Sequence, residues 1–224
     1  MLLVLIACTN PKKQAPENTA LSHPRLAPGV AIMSDGYVLP MKKWSSSSTT
    51  TAVVLALHGF NDYSHAFETT GQVFANDSIT SYAIDQRGFG KTEQRGIWAG
   101  QNIMRSDLVS TVNLLCEKHP EVAVFLLGES MGGAVILNSV QQLQQTCIQG
   151  VILMAPAVWG WQMMPWWQTI PLRLLAFTMP ELTVTGEDLE IHPSDNIDML
   201  RALSRDPLVI KQTRVDAIYG LTDL

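Results

Sequence analysis

Ser130 lies in Gly128-Glu129-Ser130-Met131-Gly132, a G-x-S-x-G spacing. A serine hydroxyl attacks a carbonyl only when its geometry and surroundings activate it. This spacing serves that chemistry when it joins a strand to a helix. The tight turn strains the serine, exposes its Oγ at the carboxyl end of a sheet, and needs flanking glycines because side chains would collide there. Both flanks fit. "VAVFLL" (122–127) is an apolar run of strand length, and "SMGGAVILNSVQQLQQ" (130–145) reads as a helix. The start of that helix would aim unpaired N–H groups and a positive dipole end at the same point. Five residues alone are a weak signal, and the strand-to-helix context gives this one its content.

Acyl transfer also turns a carbonyl oxygen into an anion, which two preorganised N–H donors must meet. The N–H of Met131, next after the serine, supplies one. The second falls in "LALHGFNDYS" (55–64), another segment closing a buried apolar run. There Phe60 follows His58 and Gly59, and its N–H is the expected partner. His58 reads as a loop prop rather than a general base. A third motif, "AIDQRGFGKT" (83–92), is rich in glycine. It lacks the upstream in-frame glycine of a phosphate-binding loop, so a structural turn is the expectation.

The elements that must hold these residues alternate. "GVAIMSDG" and "YVLPMKKW" form a predicted hairpin turning at Ser34-Asp35-Gly36. "AVVLAL" is a run suited to a strand buried on both faces. A helix is expected over about 64–76, a strand at "ITSYAID", and a helix over about 101–119, where Ile103, Leu108, Val112 and Leu115 share a face before Pro120. "VAVFLL" and "GVILMA" complete the strands. This order predicts an α/β fold with a mostly parallel sheet and helices on both faces. After Pro156 the rhythm breaks into a stretch dense in Trp, Met and Pro.

Composition narrows the function. A chain of 224 residues, 46% hydrophobic and 16% charged, folds rather than remaining disordered. Its formal net charge of −5 gives no basic footprint for nucleic acid. No His/Cys/Asp/Glu cluster has metal-ligand spacing, so neither a metal nor a cofactor is expected. Of three cysteines, Cys116 and Cys147 read as buried free thiols in helix-like segments. Cys8 differs, because it ends the apolar run 2–7. "LIAC" resembles the lipobox of bacterial lipoproteins, which implies lipidation at Cys8. The run is short for a signal and lacks a basic start. The expected organisation is an apolar signal segment (1–8), a solvated polar tether (9–28), a core (29–156) and a cap with the start of a return to the core (157–224). No run is long enough to span a bilayer, so membrane attachment would be by lipid, facing the periplasm of a bacterial envelope. Without a functional signal the location would be cytoplasmic.

"LHGFNDYS", "DQRGFG" and "LLGESMGGAV", in that order, resemble the α/β-hydrolase superfamily, and within it serine lipases of the monoacylglycerol lipase and lysophospholipase type. The resemblance covers about Gly29 to the end. It implies an α/β-hydrolase fold, Ser130 as nucleophile, Phe60 and Met131 as the oxyanion hole, and a lipid ester as substrate. It further implies that Trp159, Trp161, Met163, Met164, Trp166 and Trp167 belong to a cap over the acyl pocket, serving acyl or membrane contact or plain cap packing. In this family the triad acid and histidine follow the cap. Here the one histidine after Ser130 is His192, with Asp188 and Asp195 nearby and no apolar strand before it. The expectation is therefore a chain lacking the triad Asp and His, its C-terminal strands missing, with His192 a weak candidate. The alternatives are a non-catalytic lipid-binding lipoprotein on a degenerate hydrolase fold and an α/β-hydrolase of other chemistry.

Overall fold

A computed structural model describes residues 10–15, 22–144, 146–185 and 194–224. Its centre is a seven-stranded sheet in the order β1-β2-β3-β5-β4-β6-β7. The edge pieces β1 (Arg25–Ala27), β2 (Val30–Ile32) and β3 (Val38–Trp44) are antiparallel, and β3 joins β5 (Ile79–Ile84) in the same sense. From there β5, β4 (Ala52–Leu57), β6 (Ala123–Glu129) and β7 (Ile148–Met154) run parallel. The "AVVLAL" run explains the centre. Val53, Leu55 and Leu57 face one side, packed with Leu108, Val112 and Leu115 of α2 (Gln101–Lys118) and Val135 of α3 (Met131–Asn138). Val54 and Ala56 face the other, with Phe67 and with Phe74 of α1 (Glu68–Asn76). A continuous apolar strand is thus two alternating faces, each covered by helices.

Four expectations change in detail. The helix after Ser130 divides at Ser139, whose hydroxyl donates back to the Val135 carbonyl at 2.7 Å, and a short α4 (Val140–Leu143) follows. The expected helix over 64–76 begins as a 3-10 turn (Ser64–Phe67) before α1. Cys116 and Cys147 are not free thiols but a disulfide, tying α2 to the entry of β7. In the expected tether Asn10, Lys12, Lys13 and Ala15 are exposed, but one residue departs from a solvated linker. Gln14 is 4% exposed, its N–H bonded to the Trp98 carbonyl and its Nε2 to the Ile97 carbonyl, while the Lys12 N–H donates to Asp216. Further on, β1 has already joined the sheet. Backbone carbonyls satisfy the Gln14 Nε2 donor, while its Oε1 is buried without a hydrogen-bond partner among the described residues. Cys8, Asp188 and His192 lie outside the described residues.

Beyond β7 the chain forms α5 (Trp166–Thr178), α6 (Ile197–Arg205) and α7 (Val215–Thr222), with a small antiparallel pair of β8 (Thr183–Val184) and β9 (Thr213–Arg214). Trp161 packs against Tyr219 of α7 at 5.0 Å between ring centroids, under the Arg173 guanidinium. Trp159, Met163, Trp166 and Trp167 remain exposed. The Trp/Met stretch therefore divides between cap packing and open apolar surface.

Candidate active site

Ser130 connects β6 directly to α3, with φ 47° and ψ −111°. A non-glycine residue held in this region costs roughly 1–3 kcal/mol, which the surroundings must offset. Its N–H donates to the Met154 carbonyl of β7 at 2.9 Å, and its carbonyl accepts from Ala134 and Ala157. The glycines make the turn possible by close approach. A Cβ on Gly132 would sit 2.2 Å from the Leu57 carbonyl oxygen, and one on Gly128 would sit 2.7 Å from the Gly133 backbone. The G-x-S-x-G spacing is thus a steric requirement of packing α3 against the ends of β4 and β6.

The loop after β4 lies alongside. A Cβ on Gly59 would stand 3.5 Å from Ser130 Cβ, which brings Phe60 to the same sheet end as Met131. Neither the Phe60 nor the Met131 N–H has a protein acceptor among the described residues. Backbone donors in a folded interior are nearly always paired, so two open ones beside a strained serine form a recognisable arrangement. The Phe60 ring meets Phe89 and Trp98 edge-on at 5.6 and 6.3 Å.

His58 is fully buried, and both ring nitrogens are occupied. The Gln86 N–H donates to Nε2 at 3.0 Å, so Nε2 is an acceptor and the proton sits on Nδ1, which bonds the Gly59 carbonyl at 2.8 Å. Burial lowers its pKa below the ordinary value, outweighing the Gly59 bond and the charges of Asp85 and Asp62. The ring is neutral and committed. Because the Gly59 carbonyl and the Phe60 N–H belong to one peptide plane, this bond also aims the donor. The sequence reading of His58 as a loop prop anticipates a structural role, and the tautomer adds which group it holds.

The 83–92 turn is built around three carboxylates. Asp85 accepts the N–H groups of Ser64 and Lys91. Arg87 bonds Asp107 through Nε and Nη2 and Asp35 through both terminal nitrogens, with its guanidinium 4.1 Å from the Tyr37 ring centroid. Burial works against Asp35 ionisation, but the Arg87 fork and the Tyr37 N–H hold its pKa below the usual range. These bonds lock the turn beneath the His58 loop.

The Ser130 hydroxyl makes no hydrogen bond to a histidine among the described residues. Asp195 is exposed. No group of three or more His, Cys, Asp or Glu side chains among the described residues could hold a metal ion. No described helix is long and apolar enough to cross a membrane.

A strained serine between a parallel strand and a helix, at the carboxyl end of a mostly parallel sheet, defines an α/β-hydrolase. The chain belongs to the hydrolase family described as serine aminopeptidase S33, whose profile matches residues 48–224. It is 26% identical over 201 residues to the monoglyceride lipase of Rattus norvegicus, covering 89% of this chain and 66% of that one. Against the Homo sapiens monoglyceride lipase it is 23% identical over 203 residues, with 90% and 66% covered. It thus spans about two thirds of the length of these relatives. A soluble variant of the Saccharomyces cerevisiae monoglyceride lipase, solved with a substrate analogue, shares the fold at TM-score 0.67 and 21% identity, covering 94% of this chain and 70% of that one. The monoacylglycerol lipase of Paleococcus ferrophilus superposes at TM-score 0.63 with 20% identity, covering 83% and 69%.

Proposed function

We propose that this protein is a serine hydrolase of lipid carboxylic esters, of the monoacylglycerol or lysophospholipid type. Ser130 Oγ attacks the ester carbonyl and forms an acyl-enzyme. The alcohol leaves with the serine proton, and water then releases the fatty acid and restores the hydroxyl. The N–H groups of Phe60 and Met131 stabilise the oxyanion at each step. The observation that carries the reading is the strained Ser130 backbone flanked by those two open donors. The exposed Trp159, Met163, Trp166 and Trp167 support an apolar acyl substrate over a peptide, and so do the named relatives.

No base for Ser130 is assigned among the described residues, and His192 stands as the candidate within the chain. Without a base, the oxyanion hole and binding alone sustain roughly 10³–10⁴ over water, against about 10⁶ contributed by a complete triad. That gap also keeps open the second reading, a non-catalytic lipid-binding protein on the same scaffold.

The proposed location is a bacterial envelope, with the chain lipidated at Cys8. The Cys116–Cys147 disulfide supports it, since such bonds persist in oxidising compartments and are rare in the cytosol. Loss of membrane partitioning in Cys8→Ser checks this part separately.

The test is hydrolysis of a monoacylglycerol, a lysophospholipid, p-nitrophenyl esters of rising chain length and an aminoacyl p-nitroanilide by wild type, Ser130→Ala and His192→Ala. Ester cleavage that rises with acyl length and vanishes in Ser130→Ala is expected. Cleavage of the anilide alone, or activity unchanged in Ser130→Ala, would overturn the reading.

A further inference from the structure

The loop carrying the Phe60 N–H is held from two sides. Upstream, the hold belongs to the sheet, where His58 bonds the Gly59 carbonyl and Gln86 bonds His58. Downstream, it belongs to the segment 206–213 that closes the cap between α6 and β9. The Ile210 N–H donates to the Asn61 carbonyl at 2.9 Å. The Asn61 carboxamide donates to Thr213 Oγ1 at 2.7 Å, and the Tyr63 hydroxyl donates to Asp206 Oδ2 at 2.7 Å.

Asn61 is clamped through both its main chain and its side chain, and it sits at φ 66°, a left-handed conformation that asparagine tolerates better than most residues. It directly follows Phe60, so clamping it restrains the chain immediately after the oxyanion donor. Asp206 is the C-cap of α6, and its second oxygen accepts the Leu208 N–H at 2.8 Å. The cap segment is thereby bonded to the loop on either side of Asp62.

We infer that Asn61 and Tyr63 are positioning residues that transmit the placement of the cap to the oxyanion hole; this rests on the serine-hydrolase reading above. A cap displaced from 206–213 loosens the Phe60 donor while leaving Ser130 and Met131 in place. Cap position and transition-state stabilisation are one coupled variable in this chain.

The test uses the full chain with Thr213→Val, Tyr63→Phe and their double variant, plus Thr213→Ser as the conservative control. Two readouts are taken: kcat and KM on a short-chain p-nitrophenyl ester, and amide hydrogen exchange over 58–64 against 123–137. The double variant is expected to lose on the order of tenfold in kcat, less than the roughly 10²–10³ for removing a donor outright. KM stays within about twofold because the loop acts on the transition state. Thr213→Ser retains activity, and exchange rises over 58–64 only. An unchanged kcat in the double variant, or unchanged exchange over 58–64, would overturn the inference. Should wild type hydrolyse no ester, the lipase reading fails by itself; the exchange result then decides whether the cap holds the loop.

Discussion

At the scale of the residue, the site depends on a few atoms that cannot move. Gly132 is the strictest, because the atom a Cβ would meet is the Leu57 backbone carbonyl, not a side chain that can swing away. Gly132→Ala is expected to cost roughly 1–3 kcal/mol, as overpacking does, and to abolish any Ser130 reactivity. A urea melt read beside the activity checks both. His58 gives a pH signature. Its folded pKa is lowered by burial, so the folded state favours the neutral ring while the unfolded chain takes up protons near 6.5. The stability this contributes is whole above that value and is lost as pH falls toward the folded pKa, at no more than about 1.4 kcal/mol per pH unit. Wild type should therefore lose stability relative to His58→Gln between pH 7 and pH 5. A constant difference in melts across that range would contradict a neutral buried ring.

At the scale of the element, the α/β order was legible because each strand is an apolar run and each helix an apolar stripe. "AVVLAL" became β4 as read, and "ITSYAID" became β5, which ends one residue earlier at Ile84. The elbow was legible because strand, serine and helix are contiguous. What escaped depends on contacts between segments distant in sequence. Cys116 and Cys147 are 31 residues apart with no motif between them, and only the packing of α2 beside β7 brings them together. Gln14 reads as linker, yet it is buried by hydrogen bonds to carbonyls 80 or more residues away. Helix α5 was hidden by Pro171 inside it, a residue that removes one intrahelical donor. The disulfide carries a measurable consequence. Closing a loop of that length constrains the unfolded chain by roughly 3–4 kcal/mol on the entropy argument. Cys116→Ala with Cys147→Ala is expected to lower Tm by about 6–16 °C, and reducing agent should lower wild-type Tm similarly while leaving the double variant unmoved.

At the scale of the whole molecule, the sheet is covered unevenly. On β7 the side chains of Val151, Ile152, Leu153 and Met154 are all exposed, Ile152 at 47% and Met154 at 49%. Its outer edge carries no further strand among the described residues. An apolar, unpaired edge templates strand pairing between molecules. Together with the exposed tryptophans of the cap, it predicts self-association of this chain in dilute buffer. Size-exclusion chromatography with light scattering should find oligomers for wild type and a shift toward monomer for Ile152→Lys, a charge placed on the edge. Monomeric wild type would show that the edge is protected.

The central claim is that Ser130 is a nucleophile, and covalent labelling with a fluorophosphonate probe followed by peptide mapping tests it most directly. The geometry predicts a single adduct on Ser130, lost in Ser130→Ala and slowed when the Phe60 loop is loosened. An intact, folded chain that takes no label, or takes it on another serine, would contradict the account.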